Sequence, residues 1–297
     1  MKPVFVDVDS ETCNIDVTKI ETAITRRTRC IMPVHLLGLP CDMQKILAIA
    51  KKHGLKTLVD SCETMLVKVG DKSLGESGDI VCFSTYSAHL LTTGVGGLMI
   101  TQNPEYATKM RSLMNHGRDT IYYNIDQDDN LSNSQKLFSM ADRRFSFIDI
   151  GYSYRLTELE AALGIDELQN LAQHISARKK NARYFAEKLS FASTHLQLPT
   201  FDWTTKSACM MFPIIIRKNS LVKRSDLILH LEKNGVETRY LMPLLNQPAY
   251  KKVFGDIEKD YPVARWINEN GFYIGCHQYL TKKELEHAVS VFQNYFR

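Results

Sequence analysis

The chain has 297 residues, 44% hydrophobic and 24% charged, enough for a sizeable core in one large domain or two of average size. Its 37 Lys+Arg against 33 Asp+Glu leave a formal charge of +4, too mild and too evenly spread to argue for nucleic acid or an acidic membrane surface. No apolar run has the length of a membrane helix, and Met1–Asp7 lacks the apolar stretch of a secretory signal, so a cytoplasmic protein is expected.

Taken in order, Val4-Phe5-Val6 reads as a strand and Asp16–Ile24 as a helix with Ile20 and Ile24 on one face. Cys30–Val34 reads as a second strand. A helix follows from an Asp42 N-cap to Lys52, stopped by His53-Gly54. Thr57–Asp60 is a third strand. After a turn-rich passage around Gly70, Gly75 and Gly78 come the apolar runs Ile80–Ser84 and Leu98–Thr101. Strands alternating with helices of this length predict a parallel sheet covered by helices. The polar, acidic stretch Tyr122–Ser134 reads as an exposed loop. Thr157-Glu158-Leu159-Glu160 fits a capping box at the head of a long helix running toward Leu189. The tail reads as a smaller α/β unit: a strand at Met211–Ile216, a helix at Leu221–Lys233, a strand at Val236–Leu241 and a last helix opened by Thr281 and Glu284. The expected layout is a large domain over residues 1–165 and a small one over 166–297.

Seven scattered cysteines, with no Cys-x-x-Cys pair, suggest reduced thiols rather than a disulfide framework. No cluster of Cys or His suits zinc or iron–sulfur, so no metal is expected. Ligands of an open parallel sheet bind beyond the carboxyl ends of its strands, where His35, Asp60, Glu63, Ser84 and His89 all fall. Each residue alone has a plain structural reading, as a cap, a solvated carboxylate or a hydrogen-bonded histidine. Together at one sheet edge they form a candidate site.

The runs Ile31-Met32-Pro33-Val34-His35-Leu36-Leu37-Gly38, Asp60-Ser61-Cys62-Glu63, Phe83-Ser84-Thr85-Tyr86-Ser87-Ala88-His89 and Gly96-Gly97 resemble the DegT/DnrJ/EryC1/StrS family. So do Asn115-His116-Gly117-Arg118, Gly151–Ala162 and Gly235-Val236-Glu237-Thr238-Arg239. The resemblance implies a fold-type I, aspartate aminotransferase-like enzyme dependent on pyridoxal phosphate (PLP), acting on nucleotide-linked keto sugars. In the family's aminotransferases, a lysine five residues after the strand-end serine bonds the cofactor. Here that position is His89, which can move protons but cannot form a stable imine. The change, together with Glu63 where aminotransferases usually have Gln, resembles the 4-keto-6-deoxysugar 3-dehydratases. These hold free pyridoxamine phosphate (PMP) and use the histidine as base.

By that resemblance Asp60 pairs with the pyridine nitrogen, Glu63 lies near the ring hydroxyl, and Ser84 holds the phosphate. Ser153, where the family commonly has Asn, stands at a cross-subunit phosphate contact. His35, Arg239 and His277 are candidate substrate contacts, although Arg239 also suits a surface ion pair and His277 packing against Tyr273. The implied partners are a nucleotide-linked 4-keto-6-deoxy sugar, an amino donor such as glutamate, and a second copy in a homodimer. Only Cys209 and Cys276 follow His89, so the cluster-free branch is expected, without iron–sulfur. The competing readings are a sugar aminotransferase and a non-catalytic remnant that has lost its lysine. The Pro3–Asp7 strand also matches a point inside the family's large domain, so a chain lacking the family's first segment, with part of its phosphate cradle, is expected.

Overall fold

The computed structural model describes residues 2–119, 134–143, 145–242 and 244–297. Its helices are α1 (Val17–Ala23), α2 (Met43–His53), α3 (Pro104–Met114), α4 (Ser134–Arg143), α5 (Glu158–Lys188), α6 (Phe201–Lys206), α7 (Arg224–Lys233), α8 (Pro248–Phe254), α9 (Pro262–Asn270) and α10 (Lys282–Tyr295). The strands are β1 (Cys30–Ile31), β2 (Lys56–Asp60), β3 (Lys68–Val69), β4 (Lys72–Ser73), β5 (Ile80–Ser84), β6 (Gly97–Ile100), β7 (Leu196–Gln197), β8 (Phe212–Ile216), β9 (Thr238–Tyr240) and β10 (Gly271–Ile274). Apart from Ser134, the loop expected at Tyr122–Ser134 lies outside the described residues.

The large sheet has the order β1-β2-β5-β6, with β1, β2 and β5 parallel and β6 antiparallel at the edge. Helices α1 and α2 seal a cluster in which Met43, Ile46, Val59 and Val81 have no exposed surface. Burying each such side chain contributes about 1.5–3 kcal/mol. Asp42 caps α2 by accepting the Lys45 N–H, and Gly54 ends it in the left-handed conformation. The small sheet, β7-β8-β10-β9, is antiparallel throughout. Helix α9 packs on β8 and β10, and α10 packs against α7 and α5. Helix α5 joins the two units. At its head the Glu160 carboxylate accepts the Thr157 N–H and hydroxyl, as the capping box predicts. The expected division between residues 165 and 166 falls inside this helix.

The strand expected at Val4–Val6 is absent; residues 2–7 are irregular, and only Val8 forms a bridge, to Ile15. The reason is tertiary. Phe5 packs edge-on against Phe254 and Tyr261, and the buried Asp7 carboxylate accepts the Val263 and Ala264 N–H groups at the start of α9. Of this apolar run, Phe5 packs on Phe254 and Tyr261, Val6 packs on the large-sheet cluster, and Val4 is exposed. The remaining elements fall where the sequence predicts them, with ends shifted by a few residues.

Candidate active site

The site forms where β2 and β5 end side by side. Parallel pairing sets Asp60 beside Cys82, and the bridge from Val34 to Asp60 brings in the chain after β1. Beyond β2 the backbone makes a tight turn. Cys62 N–H donates to Asp60 Oδ1 at 3.0 Å, Ser61 N–H to Cys82 O at 2.8 Å, and the Ser61 hydroxyl to Thr64 O at 2.7 Å. That turn aims the Cys62 carbonyl and the Glu63 carboxylate at the loop beyond β5, where His89 sits.

His89 is half-buried, and its Nδ1 lies 2.7 Å from Cys62 O. A carbonyl oxygen only accepts, so Nδ1 carries the hydrogen, and in the neutral ring the lone pair is on Nε2. Tyr86 borders the imidazole edge-on, with 6.2 Å between ring centres. The loop carrying them is fastened by Thr93, whose N–H reaches Thr85 O and whose hydroxyl reaches Thr85 Oγ1 and Val95 O. The Ser84 hydroxyl accepts the Tyr86 N–H at 3.2 Å.

Glu63 is partly buried and held by the chain after β1. Its Oε2 accepts the Leu37 N–H at 2.6 Å. Burial pushes its carboxyl up, the Leu37 amide and His89 pull it down, and Asp60 adds to the rise; the net direction is upward. Burial, reinforced by Asp60, likewise raises the Cys62 thiol to about 12, which makes it a poor nucleophile. His35 lies beneath this layer with no exposed surface. Its Nδ1 accepts the Cys41 N–H at 3.1 Å, and burial lowers its imidazole to about 4 despite the pull of Asp60. It is a neutral internal residue, with no surface to offer the substrate expected at it.

The other candidates lie elsewhere. Ser153 is exposed and bridges Asn115 across two runs held in close contact. There Gly117, at φ +75°, packs so closely that a Cβ on it would strike the Asp149 carbonyl, and a Cβ on Gly151 would strike the Gly117 backbone nitrogen. Arg239 is exposed and ion-paired with Glu237, as its surface reading expects. His277 sits near Tyr279 rather than Tyr273, with 6.4 Å between ring centres, and burial and Arg178 lower its imidazole. Sequence reasoning missed Tyr273, which stands opposite Arg239 in the β10–β9 register and within electrostatic reach of Glu63. Only the pairing of the small sheet reveals it.

Among the described residues, no three His, Cys, Asp or Glu side chains are grouped to hold a metal, and no helix is long and apolar enough to cross a membrane. The donor set of carboxylate, hydroxyl and imidazole, without lysine, fits a pyridine cofactor held without a covalent bond to the chain. The family model for DegT/DnrJ/EryC1/StrS aminotransferases matches residues 1–293. The chain belongs to this family. It is similar to the GDP-4-keto-6-deoxy-D-mannose 3-dehydratase of Escherichia coli O55:H7, 30% identical over 97% of this chain and 73% of that protein. At 29% identity it is also similar to the GDP-perosamine synthase of Caulobacter vibrioides, over 97% of this chain and 71% of that protein. A crystal structure of GDP-4-keto-6-deoxymannose-3-dehydratase with a trapped PLP-glutamate geminal diamine superimposes with a TM-score of 0.80. It is 28% identical, over 97% of this chain and 73% of that one. Family membership carries the fold-type I architecture, a mostly parallel sheet with helices on its faces.

Proposed function

We propose that this family member is a PMP-dependent enzyme that removes the 3-hydroxyl from a nucleotide-linked 4-keto-6-deoxy sugar, with His89 as base. One observation carries the reading: at the lysine position of aminotransferases, His89 gives its Nδ1–H to Cys62 O and keeps a free lone pair at Nε2. Asp60 would hold the pyridine nitrogen, Glu63 would face the ring hydroxyl, and Ser84 would bind the phosphate, with Ser153 reaching the phosphate of a second copy. When bound, the cofactor supplies an amine for the 4-keto carbon, an acidic C–H and a ring that takes up electrons. Nε2 accepts the proton whose removal lets the 3-hydroxyl leave, while the Cys62 carbonyl stabilises the imidazolium through Nδ1–H. Arg239 and His277 remain candidates for the sugar nucleotide. Glutamate is the proposed amino donor, supported by the glutamate adduct in the related dehydratase.

The test combines the purified protein with PMP, glutamate and GDP-4-keto-6-deoxymannose. We expect the 3-deoxy sugar together with one 2-oxoglutarate and one ammonia, the nitrogen delivered from glutamate through the cofactor's amine. A His89→Asn variant should retain PMP binding and lose about 10²- to 10⁴-fold in rate. Borohydride fixation of PLP to a lysine of the wild-type chain would instead support aminotransfer. The proposed working form is a homodimer in the cytoplasm. Exposed apolar side chains at Phe147, Ile150, Tyr152, Tyr154, Leu159 and Leu163 support the pairing. Light scattering should return twice the chain mass; a monomer at working concentration would remove this part of the proposal.

A further inference from the structure

We propose that Asn14, remote in sequence from every residue of the site, is a positioning residue whose carboxamide clamps the Leu36–Leu39 turn and aims the Leu37 amide at Glu63. The inference rests on Glu63 serving the site proposed above. Asn14 is buried, and its two polar ends grip the turn from opposite sides. The Leu36 N–H donates to Asn14 Oδ1 at 3.0 Å, and Asn14 Nδ2 donates to Leu39 O at 2.9 Å. Between them Leu37 has φ +60°, a left-handed conformation that a γ-branched side chain adopts only when its surroundings impose it.

The turn cannot relax elsewhere. Gly38, at φ +94°, lies so near the small unit that a Cβ would come within 2.8 Å of the Cys209 and Met210 backbone nitrogens, and its carbonyl accepts the Ala208 N–H at 2.7 Å. The Leu37 side chain is itself buried in the core. What the left-handed geometry exposes is the Leu37 N–H, 2.6 Å from Glu63 Oε2. Asn14 is carried there by a small N-terminal loop, in which Asp9 N–H donates to Asn14 O and Val8 bridges Ile15.

The amide matters because burial and Asp60 oppose the Glu63 charge, while the amide and His89 favour it. Asp60 and Cys62 lie close on its own turn, His89 faces it from the loop after β5, and Tyr273 from the small sheet. A fixed backbone donor favours the carboxylate over the acid and sets which oxygen points inward. Removing the clamp should let the turn swing and the donor stray, without touching Glu63 itself.

The Leu37 amide can be read directly in ¹H–¹⁵N spectra of the full chain, with and without PMP. It should lie at low field, resist exchange, and move with pH as Glu63 titrates; Glu63→Gln should abolish that movement. Asn14→Ala should shift the signal upfield and move its pH course, and Asn14→Asp, which keeps the Leu36 bond and loses the Leu39 bond, should fall between. In turnover, Asn14→Ala should lose roughly ten- to a hundredfold in kcat with KM little changed. A Leu37 signal that ignores pH in the wild-type chain, or stays in place in a folded Asn14 variant, would overturn the proposal. Should Asn14→Ala not fold, Asn14→Asp and the wild-type titration decide it. Because the spectra need no substrate, an intact Leu37 response with no dehydration would count against the function and leave the clamp standing.

Discussion

β8 of the small sheet and β6 of the large one are both short runs of large apolar side chains, yet they occupy opposite surroundings. Every residue of β8 is buried, Phe212 and Ile214 completely. In β6, Leu98, Met99 and Ile100 are 48%, 51% and 40% exposed. Composition does not separate them; place in the sheet does. β8 lies between β7 and β10 under helix α9, whereas among the described residues β6 ends its sheet and pairs with β5 alone. The chemistry follows the same logic, because the site forms at the interior strands β2 and β5, where neighbours on both sides fix the strand ends. An edge strand offers an open ladder and apolar faces, which suit association better than precise positioning.

This contrast can be broken by substitution. Phe212→Ala should destabilise the chain by about 3–5 kcal/mol in a denaturant titration, since it leaves a cavity that cannot collapse. Met99→Thr should change the stability of a single chain by less than about 0.5 kcal/mol. A large loss at Met99 that grows on dilution would mean that β6 is covered in the associated protein.

A smaller effect lies where the two units are tied. Asp7→Ala should cost about 1–2 kcal/mol, the value of a buried helix cap. Burial raises the Asp7 carboxyl, but the N–H groups of Ala264, Val8 and Val263 and the Lys19 ammonium outweigh it, so its titration lies below the ordinary range. A group lowered on folding stabilises above its unfolded value and loses that contribution as pH falls through its folded one. Wild type should therefore lose stability in acid more steeply than Asp7→Ala, and parallel pH profiles would refute the tether.

Much of the site was legible because it lies on consecutive strand ends. Asp60, Glu63, Ser84 and His89 each follow a readable apolar run, and a parallel sheet brings such ends to one edge. His35 was legible by the same rule and still ended up enclosed, because strand order places a residue at the edge without saying how deep it lies. The strand expected at Val4–Val6 failed for a related reason. Its apolarity was read correctly, but Phe5 packs on Phe254 and Tyr261, and the neighbouring Asp7 caps α9 at Val263, 256 residues away in sequence. Asn14 and Tyr273 carried no local signal at all.

Sequence alone determined the alternation of strands and helices, the caps at Asp42, Thr157 and Thr281, the family, and the histidine at the lysine position. These rest on side-chain chemistry and short-range periodicity, which act within a few residues. Tertiary structure decided which apolar strand is buried, how the N-terminal segment docks, and which nitrogen of His89 is free. It also decided that Asn14 reaches the turn supporting Glu63. These are contacts between residues far apart in the chain, and hydrogen bonds of 2.6–3.0 Å depend on where the fold places both partners.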